Sequence, residues 1–456
     1  MPEKIFESII DTVGNTPLIQ LNKVAKGIDA RVLAKVEFFN PGGSVKDRIA
    51  RGIIDGAESD GKLKPGGTIV EATSGNTGAG LALVAAIRGY KAIFTMPDKM
   101  SNEKIRLLKA YGADVIVCPT AVPPESPESY YEVAKKLVRE TPNAILANQY
   151  FNPKNPEAHY LTTGPEIWEQ TDGNIDCFVA GLGTGGTISG TAKFLKGKKP
   201  SIKIIGADPD GSILREYFYS KKMIPARPYK VEGVGEDILP GALDFSVIDE
   251  VVTANDKQSF QMARQLAREE GLFVGGSAGL AAHVALHVAK DLPKGQTVVV
   301  LLPDTGERYL SKFYNDEWMR ENRFLEIERV KIREILAAKP FDLPSLISVT
   351  PETVVRVAFE LMEEKNITQM PVLTNGEAIG SLEEGTLTGK ILDNQDLLNT
   401  TVENVMDKPF PVLQEGDTID KAKELFGKKN AAILVRDQDK FTGIITKLDI
   451  ITFITT

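Results

Sequence analysis

The amino-acid sequence predicts an α/β protein, with a core built on a mainly parallel sheet and a smaller α/β module after it. Short β-rich runs alternate with helix-like runs from residue 31 to about residue 304, which is typical of a parallel sheet with crossover helices. The β-rich runs are mostly continuous apolar segments, as expected of strands that helices cover on both faces. Beyond about residue 346 the sequence contains two similar copies of one pattern, which indicates a second unit.

The predicted strands of the core are apolar runs, and the segments between them have helical spacing, as in "GLALVAAIRGY" and "SFQMARQLAREEG". In an open parallel sheet, the loops after the carboxyl ends of the strands form the binding site. The polar loops that follow these strands are therefore the candidates for function. The strands are predicted at 31–38, 68–73, 91–97, 114–119, 144–149, 175–183, 202–209, 272–276 and 297–304.

The C-terminal repeat has one helix, two strands and a second helix in each copy. "SVTPETVVRVAFELMEEKNITQMPVLTNGEAIGSL" is similar to "PVLQEGDTIDKAKELFGKKNAAILVRDQDKFTGII", so that Thr353 matches Thr418 and Gly380 matches Gly443. Neither copy is long enough to bury a good core alone, so we expect the two to pack as one module. The predicted divisions are a core at 1–325, a charged helical linker at 326–345, and the two copies at 346–400 and 401–456.

Composition excludes several classes of protein. The 456 residues carry a net charge of −8 without a basic stripe, so no nucleic-acid partner is expected. The longest apolar runs, such as "TVVVLLP", are too short to cross a bilayer, and the N-terminus has no export signal. Cys118 and Cys177 lie in strand-like apolar runs, and with three scattered histidines they form no zinc pattern. We expect a cytosolic protein without a metal site or a membrane partner.

The first candidate loop is "PGGSVKDRIA", residues 41–50, in which Lys46 stands where a glycine turn meets a helix. A solvated surface lysine is the common alternative. The positive end of the helix dipole disfavours a cation at that place. A buried lysine near positive dipoles has a lowered pKa and becomes a usable amine, so both anion binding and covalent chemistry stay open.

The second loop, "EATSGNTG" at 71–78, joins a strand to a helix. Hydroxyl and amide groups beside backbone N–H groups are suited to an anion such as a carboxylate. An ordinary helix cap also prefers serine and asparagine. Four polar side chains between glycines exceed what a cap needs, so a binding site is favoured.

The third loop, "GLGTGGT" at 181–187, follows a strand and opens a helix, as a phosphate-binding loop does. Gly181, Gly183 and Gly186 also fit the G-x-G-x-x-G pattern of dinucleotide-binding proteins, and Asp208 ends the next strand, about where a ribose-binding acid belongs. A dinucleotide-dependent oxidoreductase is thus an alternative.

In the fourth loop, "GGSAG" at 275–279, Ser277 is placed to hydrogen-bond a ligand or to cap a helix. The pattern is not G-x-S-x-G, and no histidine has an obvious claim to act as its base, so a serine triad is disfavoured.

Together these segments resemble the fold-type II pyridoxal-phosphate enzymes of the cysteine synthase and cystathionine β-synthase family. The resemblance covers roughly residues 5–320. Within the family, "PTAVPPESPESYYEVAKKL", "GGSAG" and "LLPDTGERYLSKFYNDEWM" are more similar to the cystathionine β-synthase branch, and the C-terminal repeat resembles its tandem CBS-motif regulatory module. The segments that carry the resemblance occur in the family's order: "NTPLIQL", "NPGGSVKDRIA", "EATSGNTGAGLA", "NQYFNPKNPEAHYLTTGPEIW", "VAGLGTGGTISG", "VEGVGEDILP" and "VGGSAG".

The resemblance implies pyridoxal 5′-phosphate as the cofactor, with Lys46 forming the Schiff base and later moving a proton at the substrate's α-carbon. It implies that Asn76 hydrogen-bonds the 3′-oxygen of the cofactor and that Ser277 is the partner of its pyridine nitrogen. The residues that match the phosphate cradle are Gly183, Thr184, Gly185, Gly186 and Thr187.

The same resemblance implies where the substrates bind. The carboxylate of the amino acid is expected at Thr73, Ser74, Thr77 and Gln149, and the second substrate near the loop from Gly233 to Glu236. Eukaryotic members of the family carry a tyrosine where this chain has Glu236, which leaves the second substrate open. The implied reaction is the β-replacement of transsulfuration, in which serine and homocysteine give cystathionine and water. The near alternative is cysteine synthesis from O-acetylserine or serine with sulfide.

Two departures from the relatives bear on cofactors. Haem-bearing relatives have an N-terminal extension with a Cys and a His ligand, whereas this chain has no cysteine before Cys118, so we expect no haem.

In the second CBS copy, Thr446 and Asp449 match the residues that hold the phosphate and ribose of an adenosyl ligand. The first copy has Glu383 and Thr386 at those offsets. We therefore expect at most one good adenosyl site per chain, for S-adenosylmethionine or for AMP or ATP. By family analogy, at least a homodimer is expected.

Overall fold

The computed structural model describes residues 5–73, 75–98, 100, 102–119, 121–123, 125–325, 330–339, 346–427 and 430–455. Contacts between residues divide the chain into two compact units, one up to Leu325 and the other beyond it. Each unit buries apolar clusters of its own, as separate domains do.

The first unit alternates strands and helices, as the sequence predicts. Its strands are β1 (Leu18–Gln20), β2 (Arg31–Val36), β3 (Thr68–Ala72), β4 (Lys91–Pro97), β5 (Asp114–Cys118), β6 (Ala144–Leu146), β7 (Cys177–Gly181), β8 (Lys203–Pro209), β9 (Glu250–Ala254) and β10 (Thr297–Leu302). Its α-helices are α1 (Lys46–Ser59), α2 (Asn76–Arg88), α3 (Asn102–Ala110), α4 (Tyr130–Glu140), α5 (Lys154–Leu161), α6 (Thr163–Gln170), α7 (Gly186–Lys198), α8 (Leu214–Ser220), α9 (Asp256–Glu270), α10 (Gly276–Ala289) and α11 (Asp316–Glu321).

The strands of this unit form two sheets. A six-stranded sheet has the order β1-β2-β10-β7-β8-β9, and a four-stranded sheet has the order β5-β4-β3-β6. Every pairing is parallel except that of β1 with β2, which confirms the mainly parallel core. All residues of the central strand β10 are buried, because helices cover both faces of the sheet.

One predicted strand of the core is wrong. In the segment 272–276, Val274 makes only an isolated antiparallel bridge with Thr305, and α10 already begins at Gly276. Two consecutive glycines end the apolar run after three residues, and the chain turns into the helix. One edge of the large sheet is formed by β9, whose short sequence "EVVTA" gave little signal.

Local sequence explains where the helices begin and end. Helix α1 buries Ile49, Ile53 and Ile54 on one face, which follows the helical spacing of apolar residues. Helix α9 begins with a capping box between Asn255 and Gln258. It ends at Gly271, whose φ of 71° is a left-handed conformation that glycine adopts without strain.

The second unit contains both copies of the repeat. Its strands are β11 (Gln369–Thr374), β12 (Glu377–Glu383), β13 (Val412–Gln414), β14 (Ala432–Asp437) and β15 (Lys440–Thr446). Its α-helices are α12 (Ile332–Ala337), α13 (Val355–Glu364), α14 (Glu384–Asp393), α15 (Ile419–Gly427) and α16 (Lys447–Thr455). Within the predicted linker, α12 buries Ile332 and Ile335 in the apolar cluster of the second copy. In the described parts of the chain, no helix is long and apolar enough to span a membrane.

Candidate active site

Three of the four candidate loops meet at the carboxyl end of β10. The backbone N–H of Val45 donates to the carbonyl of Pro303 over 2.8 Å, and Ser44 forms a bridge with Asp304. The N–H of Gly275, at the start of the "GGSAG" loop, donates to the carbonyl of Asp304 over 3.1 Å. Asn76, from the "EATSGNTG" loop, donates its amide to the Asp304 carboxylate over 2.9 Å. The sheet thus assembles residues that are far apart in sequence.

Lys46 is the first residue of α1, and its side chain is only partly exposed. Desolvation lowers the pKa of its amine, and the carboxylates of Asp304 and Glu236 oppose that shift. The amine forms no ion pair with any residue in the described ranges. A desolvated amine without a close counter-ion is a better nucleophile and base than a surface lysine.

Asp304 is a member of the site that sequence reasoning missed. Its carboxylate is buried and accepts hydrogen bonds from Asn76 and from the Tyr309 hydroxyl, the latter over 2.7 Å. Its Oδ1 is buried without a hydrogen-bond partner among the described residues, which marks a position that a ligand atom or proton would satisfy. The available signal was its place at the end of the last predicted strand.

The "EATSGNTG" loop is held against the segment around Gln149. The hydroxyl of Thr77 donates to the amide oxygen of Gln149 over 2.6 Å, and the Thr73 hydroxyl accepts from the N–H groups of Gly75 and Gly78. The structure thus brings Thr73, Thr77 and Gln149 together, and all three are buried. Ser74 lies outside the described residues.

Beneath this loop, Glu71 positions the segment that carries Gln149. Its carboxylate accepts from the backbone N–H groups of Asn148 and Gln149 over 2.7 and 3.2 Å. Burial raises the pKa of Glu71 to about 7. Sequence reasoning assigned it no role, because a glutamate inside a strand carries no local signal of this kind.

The "GLGTGGT" loop has the geometry of an anion cradle. Gly185 is the N-cap of α7 with a left-handed φ of 85°, and no side chain caps that helix end, so its N–H groups are available to an anion. A Cβ at Gly185 would overlap Leu243, and one at Gly186 would overlap Asn155. Asn155 also donates to the Thr184 hydroxyl over 3.1 Å. These close contacts explain why both positions are glycine.

His159 lies behind this cradle and was also missed from sequence. It is fully buried, and its Nε2 lies 3.2 Å from the Thr187 hydroxyl while its Nδ1 lies 2.8 Å from the Thr163 hydroxyl. Burial and the nearby Arg48 guanidinium lower the pKa of His159 to about 3. A neutral imidazole with both nitrogens engaged fixes the direction of the Thr187 hydroxyl.

The loop "VEGVGEDILP" adjoins the cradle. The N–H of Gly235 donates to the carbonyl of Leu182 over 2.6 Å, and Gly233 and Gly235 both have left-handed φ angles. Glu232 in this loop forms ion pairs with Lys104 and Lys312. Burial raises the pKa of Glu236 to about 8, and the charge of the Lys46 amine opposes that rise.

Ser277, the last of the predicted cofactor-binding residues, is the second residue of α10 and is buried. Its helix begins at the loop that Gly275 ties to Asp304, and the lysine loop is bonded to Pro303, so both lie at the carboxyl end of β10.

Asp208 does not support the dinucleotide alternative. The side chain is fully buried, and one carboxylate oxygen accepts from the backbone N–H of Arg215 over 2.9 Å. A carboxylate that is buried and hydrogen-bonded to the backbone of the residues that follow it is not accessible to a ribose hydroxyl.

In the second unit, Thr446 and Asp449 are brought together at the start of α16. The Thr446 hydroxyl donates to the Asp449 carboxylate over 2.8 Å, and Asp449 forms an ion pair with Lys339 over 3.0 Å. In the first copy, Glu383 is the N-cap of α14 and makes no such capping hydrogen bond. The two copies therefore differ at the positions where the sequence predicts a difference.

Two families match the chain. One, described as "Pyridoxal-phosphate dependent enzyme", matches residues 9–304, and the other, "CBS domain", matches residues 338–393 and 402–456. Among the described residues, no group of three or more His, Cys, Asp or Glu side chains is arranged to hold a metal ion.

Curated relatives cover the whole chain or its core. A cystathionine beta-synthase of Dictyostelium discoideum is 40% identical over 99% of this chain and 92% of its own length. That of Saccharomyces cerevisiae is 39% identical over 98% of this chain and 97% of its own length. A cysteine synthase of Staphylococcus aureus is 45% identical over 68% of this chain and 97% of its own length.

A solved structure, that of O-ureido-L-serine synthase, superimposes with a TM-score of 0.64 at 39% identity and covers 70% of this chain and 100% of its own. The fold-type II core followed by paired CBS domains is thereby confirmed, and pyridoxal phosphate is the cofactor that the family implies. The chain therefore belongs to the family of pyridoxal-phosphate dependent enzymes, with the full-length arrangement of the cystathionine beta-synthases.

Proposed function

We propose that the chain catalyses a pyridoxal-phosphate-dependent β-replacement in which L-serine and L-homocysteine give L-cystathionine and water. The observation that best supports this proposal is the amine of Lys46. It is desolvated, it lies where three polar loops meet, and it forms no ion pair with a described residue. The full-length similarity to cystathionine beta-synthases supports the choice of substrates. The reaction would serve transsulfuration and cysteine biosynthesis in the cytosol.

The residues present fit the cofactor. The uncapped start of α7 and the cradle of Gly183, Thr184, Gly185, Gly186 and Thr187 would hold its phosphate. Asn76 would contact the 3′-oxygen, and Ser277 would be the partner of the ring nitrogen. When bound, the cofactor withdraws electrons from the α-carbon of the amino acid.

The protein's own groups hold the substrate and move its proton. Thr73, Ser74, Thr77 and Gln149 would bind the substrate carboxylate. The Lys46 amine would remove the proton from the α-carbon before the β-hydroxyl leaves, and it would return that proton after the thiolate adds at the β-carbon. Its lowered pKa suits both directions of transfer.

The test is reduction of the holoenzyme with borohydride, followed by peptide mapping. We expect a yellow protein that is bleached, with the label on Lys46. The variant K46A should lose cystathionine formation by at least about 10³-fold, since a positioned acid–base group contributes about 10²- to 10⁴-fold. K64A, at an exposed lysine, is the matched control and should remain active. A label on another lysine, or an active K46A, would refute the proposal.

A second candidate is cysteine synthase activity, from O-acetylserine or serine with sulfide. It is favoured by the 45% identity to the cysteine synthase of Staphylococcus aureus, which spans 97% of that enzyme. Initial rates with each pairing of the two donors with homocysteine and sulfide distinguish the candidates. A higher kcat/KM with sulfide than with homocysteine would establish the second.

We infer that the CBS module binds an adenosyl ligand at Thr446 and Asp449. The support is their arrangement at the start of α16, where the N–H and the hydroxyl of Thr446 both donate to the Asp449 carboxylate, whereas Glu383 would repel a phosphate in the first copy. Calorimetric titration with S-adenosylmethionine, AMP and ATP should find at most one site per chain. D449N should weaken binding at least 10-fold, and T386A, at the matching position of the first copy, should not. Two equal sites would contradict the inference.

We also propose the domain bounds 1–325, 326–345, 346–400 and 401–456 and an assembly of at least two chains. Exposed apolar side chains of the core, such as Leu161 and Phe151, support an interface. Size-exclusion chromatography with light scattering measures the mass of the assembly, and a monomer near 50 kDa would refute it.

A further inference from the structure

The carboxylate of Asp304 has a closely defined position at the place where three of the candidate loops meet. The backbone carbonyl of Asp304 accepts from the N–H of Gly275 over 3.1 Å, and Ser44 forms an antiparallel bridge with the same residue. The side chain is 1% exposed, and a Cβ on Gly275 would lie 2.0 Å from its Oδ1. The carboxylate thus fills space that glycine at position 275 leaves open.

The other oxygen of this carboxylate, Oδ2, accepts two hydrogen bonds. The amide nitrogen of Asn76 donates over 2.9 Å, and the hydroxyl of Tyr309 donates over 2.7 Å. Burial and the charge of Asp304 raise the pKa of Tyr309 well above its ordinary value, so the hydroxyl keeps the proton that it donates. Because a carboxylate only accepts hydrogen bonds, both neighbours have to turn a donor toward it.

This requirement decides the orientation of the Asn76 amide. The oxygen and nitrogen ends of an asparagine side chain have nearly the same size, and their hydrogen-bond partners determine which end points in which direction. The Asp304 carboxylate stabilises the orientation that turns the nitrogen toward it. It destabilises the flipped orientation, in which two acceptor oxygens would face each other.

The Asn76 nitrogen has a second N–H beyond the one that Asp304 accepts. An asparagine amide carries two N–H donors, and within the described ranges this side chain makes no other hydrogen bond. Asn76 is the first residue of α2, and the next residue, Thr77, holds the start of that helix to Gln149 over 2.6 Å. The second N–H is therefore a donor at a defined place, on the residue proposed to contact the 3′-oxygen of the cofactor.

We propose that Asp304 is a positioning residue for the cofactor, which acts by fixing the Asn76 amide so that an N–H, and not the amide oxygen, is presented to the 3′-oxygen. In its ionised form that phenolic oxygen only accepts hydrogen bonds, so the flipped amide would repel it. The proposal rests on the pyridoxal-phosphate-dependent function proposed above and adds to it a residue that acts through Asn76.

Binding of two cofactors tests this role without a measurement of activity. The full-length chain, from which hydroxylamine has removed the cofactor, is titrated with pyridoxal 5′-phosphate and with its 3-deoxy analogue, which lacks only the 3′-oxygen. The wild type should bind pyridoxal 5′-phosphate at least about 10-fold more tightly than the analogue, since hydrogen bonds to charged groups are among the stronger ones. N76A should abolish this preference.

D304N should reduce the preference to less than about 3-fold, because an amide at position 304 both donates and accepts and no longer decides the orientation of Asn76. The matched control is Y309F, which removes the other hydrogen bond to the same carboxylate oxygen and leaves Asn76 its acceptor. Y309F should keep the preference of the wild type. D304A should show the same loss as D304N, and it replaces D304N if melting curves show that the buried amide prevents folding.

A D304N or D304A chain that keeps the preference of the wild type would overturn the role of Asp304. An equal loss of affinity for both cofactors, which a merely structural role predicts, would also overturn it, as would loss of the preference in Y309F or its absence in the wild type. Failure of the proposed function gives a different result, a borohydride label on a lysine other than Lys46, so the two failures are distinguishable.

Discussion

At the scale of single residues, Asp208 is a buried acid whose state depends on pH. One carboxylate oxygen accepts from the N–H of Arg215, and Oδ1 is buried without a partner among the described residues. Burial raises the pKa of Asp208 to about 7, from an ordinary value of 3.8. Between these two values the folded chain holds a proton that the unfolded chain has released. The contribution of Asp208 to stability is therefore fully present below about pH 3.8 and is lost as the pH rises through 7.

D208N removes this titration. The difference in melting temperature between D208N and the wild type should increase by about 3 °C in favour of D208N from pH 5.5 to pH 8.5, because the wild type loses about 2 kcal/mol over that range. Differential scanning calorimetry at the two pH values measures the change. D210N, at a nearby exposed aspartate paired with Arg227, should show no such trend. A difference between D208N and the wild type that is the same at both pH values would contradict the assignment.

Residues whose role depends on a local pattern were predictable from sequence. The lysine loop and the threonine–glycine loop each carry their own turn and helix-start signals, and the structure brings both to one end of the sheet. Asp304 and His159 were not predictable, because their importance comes from contacts with Asn76 and Thr187 that only folding creates. A buried polar residue has no periodic signal that distinguishes a structural role from a functional one.

At the scale of single elements, helix α1 is anchored by buried charges directly after Lys46. The Arg48 guanidinium pairs with Glu37 over 2.7 Å and with Glu166 over 2.6 Å, and Lys35 pairs with Glu166 over 2.7 Å. These pairs join α1 to β2, to the turn after it and to α6. The nearby guanidinium and amine lower the pKa of Glu166 to about 2.

Replacing Arg48 leaves two carboxylates without their main partner. R48A should therefore destabilise the core by about 3–5 kcal/mol, the usual cost of breaking a buried pair from one side. It should also lower kcat, because Lys46 stands two residues earlier on the same helix. Thermal melting and cystathionine assays measure both effects.

Helix α1 also supplies the control for that substitution. Arg51 pairs with Asp55 over 3.6 Å at the surface, with both side chains over a third exposed. R51A should cost less than about 1 kcal/mol, since exposed pairs contribute little. Similar losses in R51A and R48A would show that the buried network does not anchor the helix.

Elements were predictable where the apolar run was long. Strands β8 and β10 bury nearly every residue, and continuous apolar runs are the signal of such strands. The segment 272–276 was wrongly predicted as a strand, because its three apolar residues are followed by glycines that begin a helix. The edge strand β9 is half-exposed, and edge strands of mixed polarity have the weakest pattern.

At the scale of the whole molecule, the two units are organised as independent folds. The apolar clusters of the first unit are built from residues up to Leu325, and those of the second from residues beyond it. The cysteine synthase of Staphylococcus aureus matches 68% of this chain with 97% of its own length. A core of this kind thus exists in a relative without a matching second unit.

A chain that ends after Leu325 should therefore fold and retain β-replacement activity, because every residue proposed to hold the cofactor or the amino acid lies in the first unit. Its activity should no longer respond to an adenosyl ligand, since Thr446 and Asp449 are removed. Steady-state rates with and without S-adenosylmethionine, for the full chain and the shortened chain, measure both effects. The full-length D449N variant separates loss of the ligand from loss of the unit, because it should keep basal activity and lose only the response. A shortened chain that folds, binds pyridoxal phosphate and is inactive would show that the second unit contributes to catalysis itself.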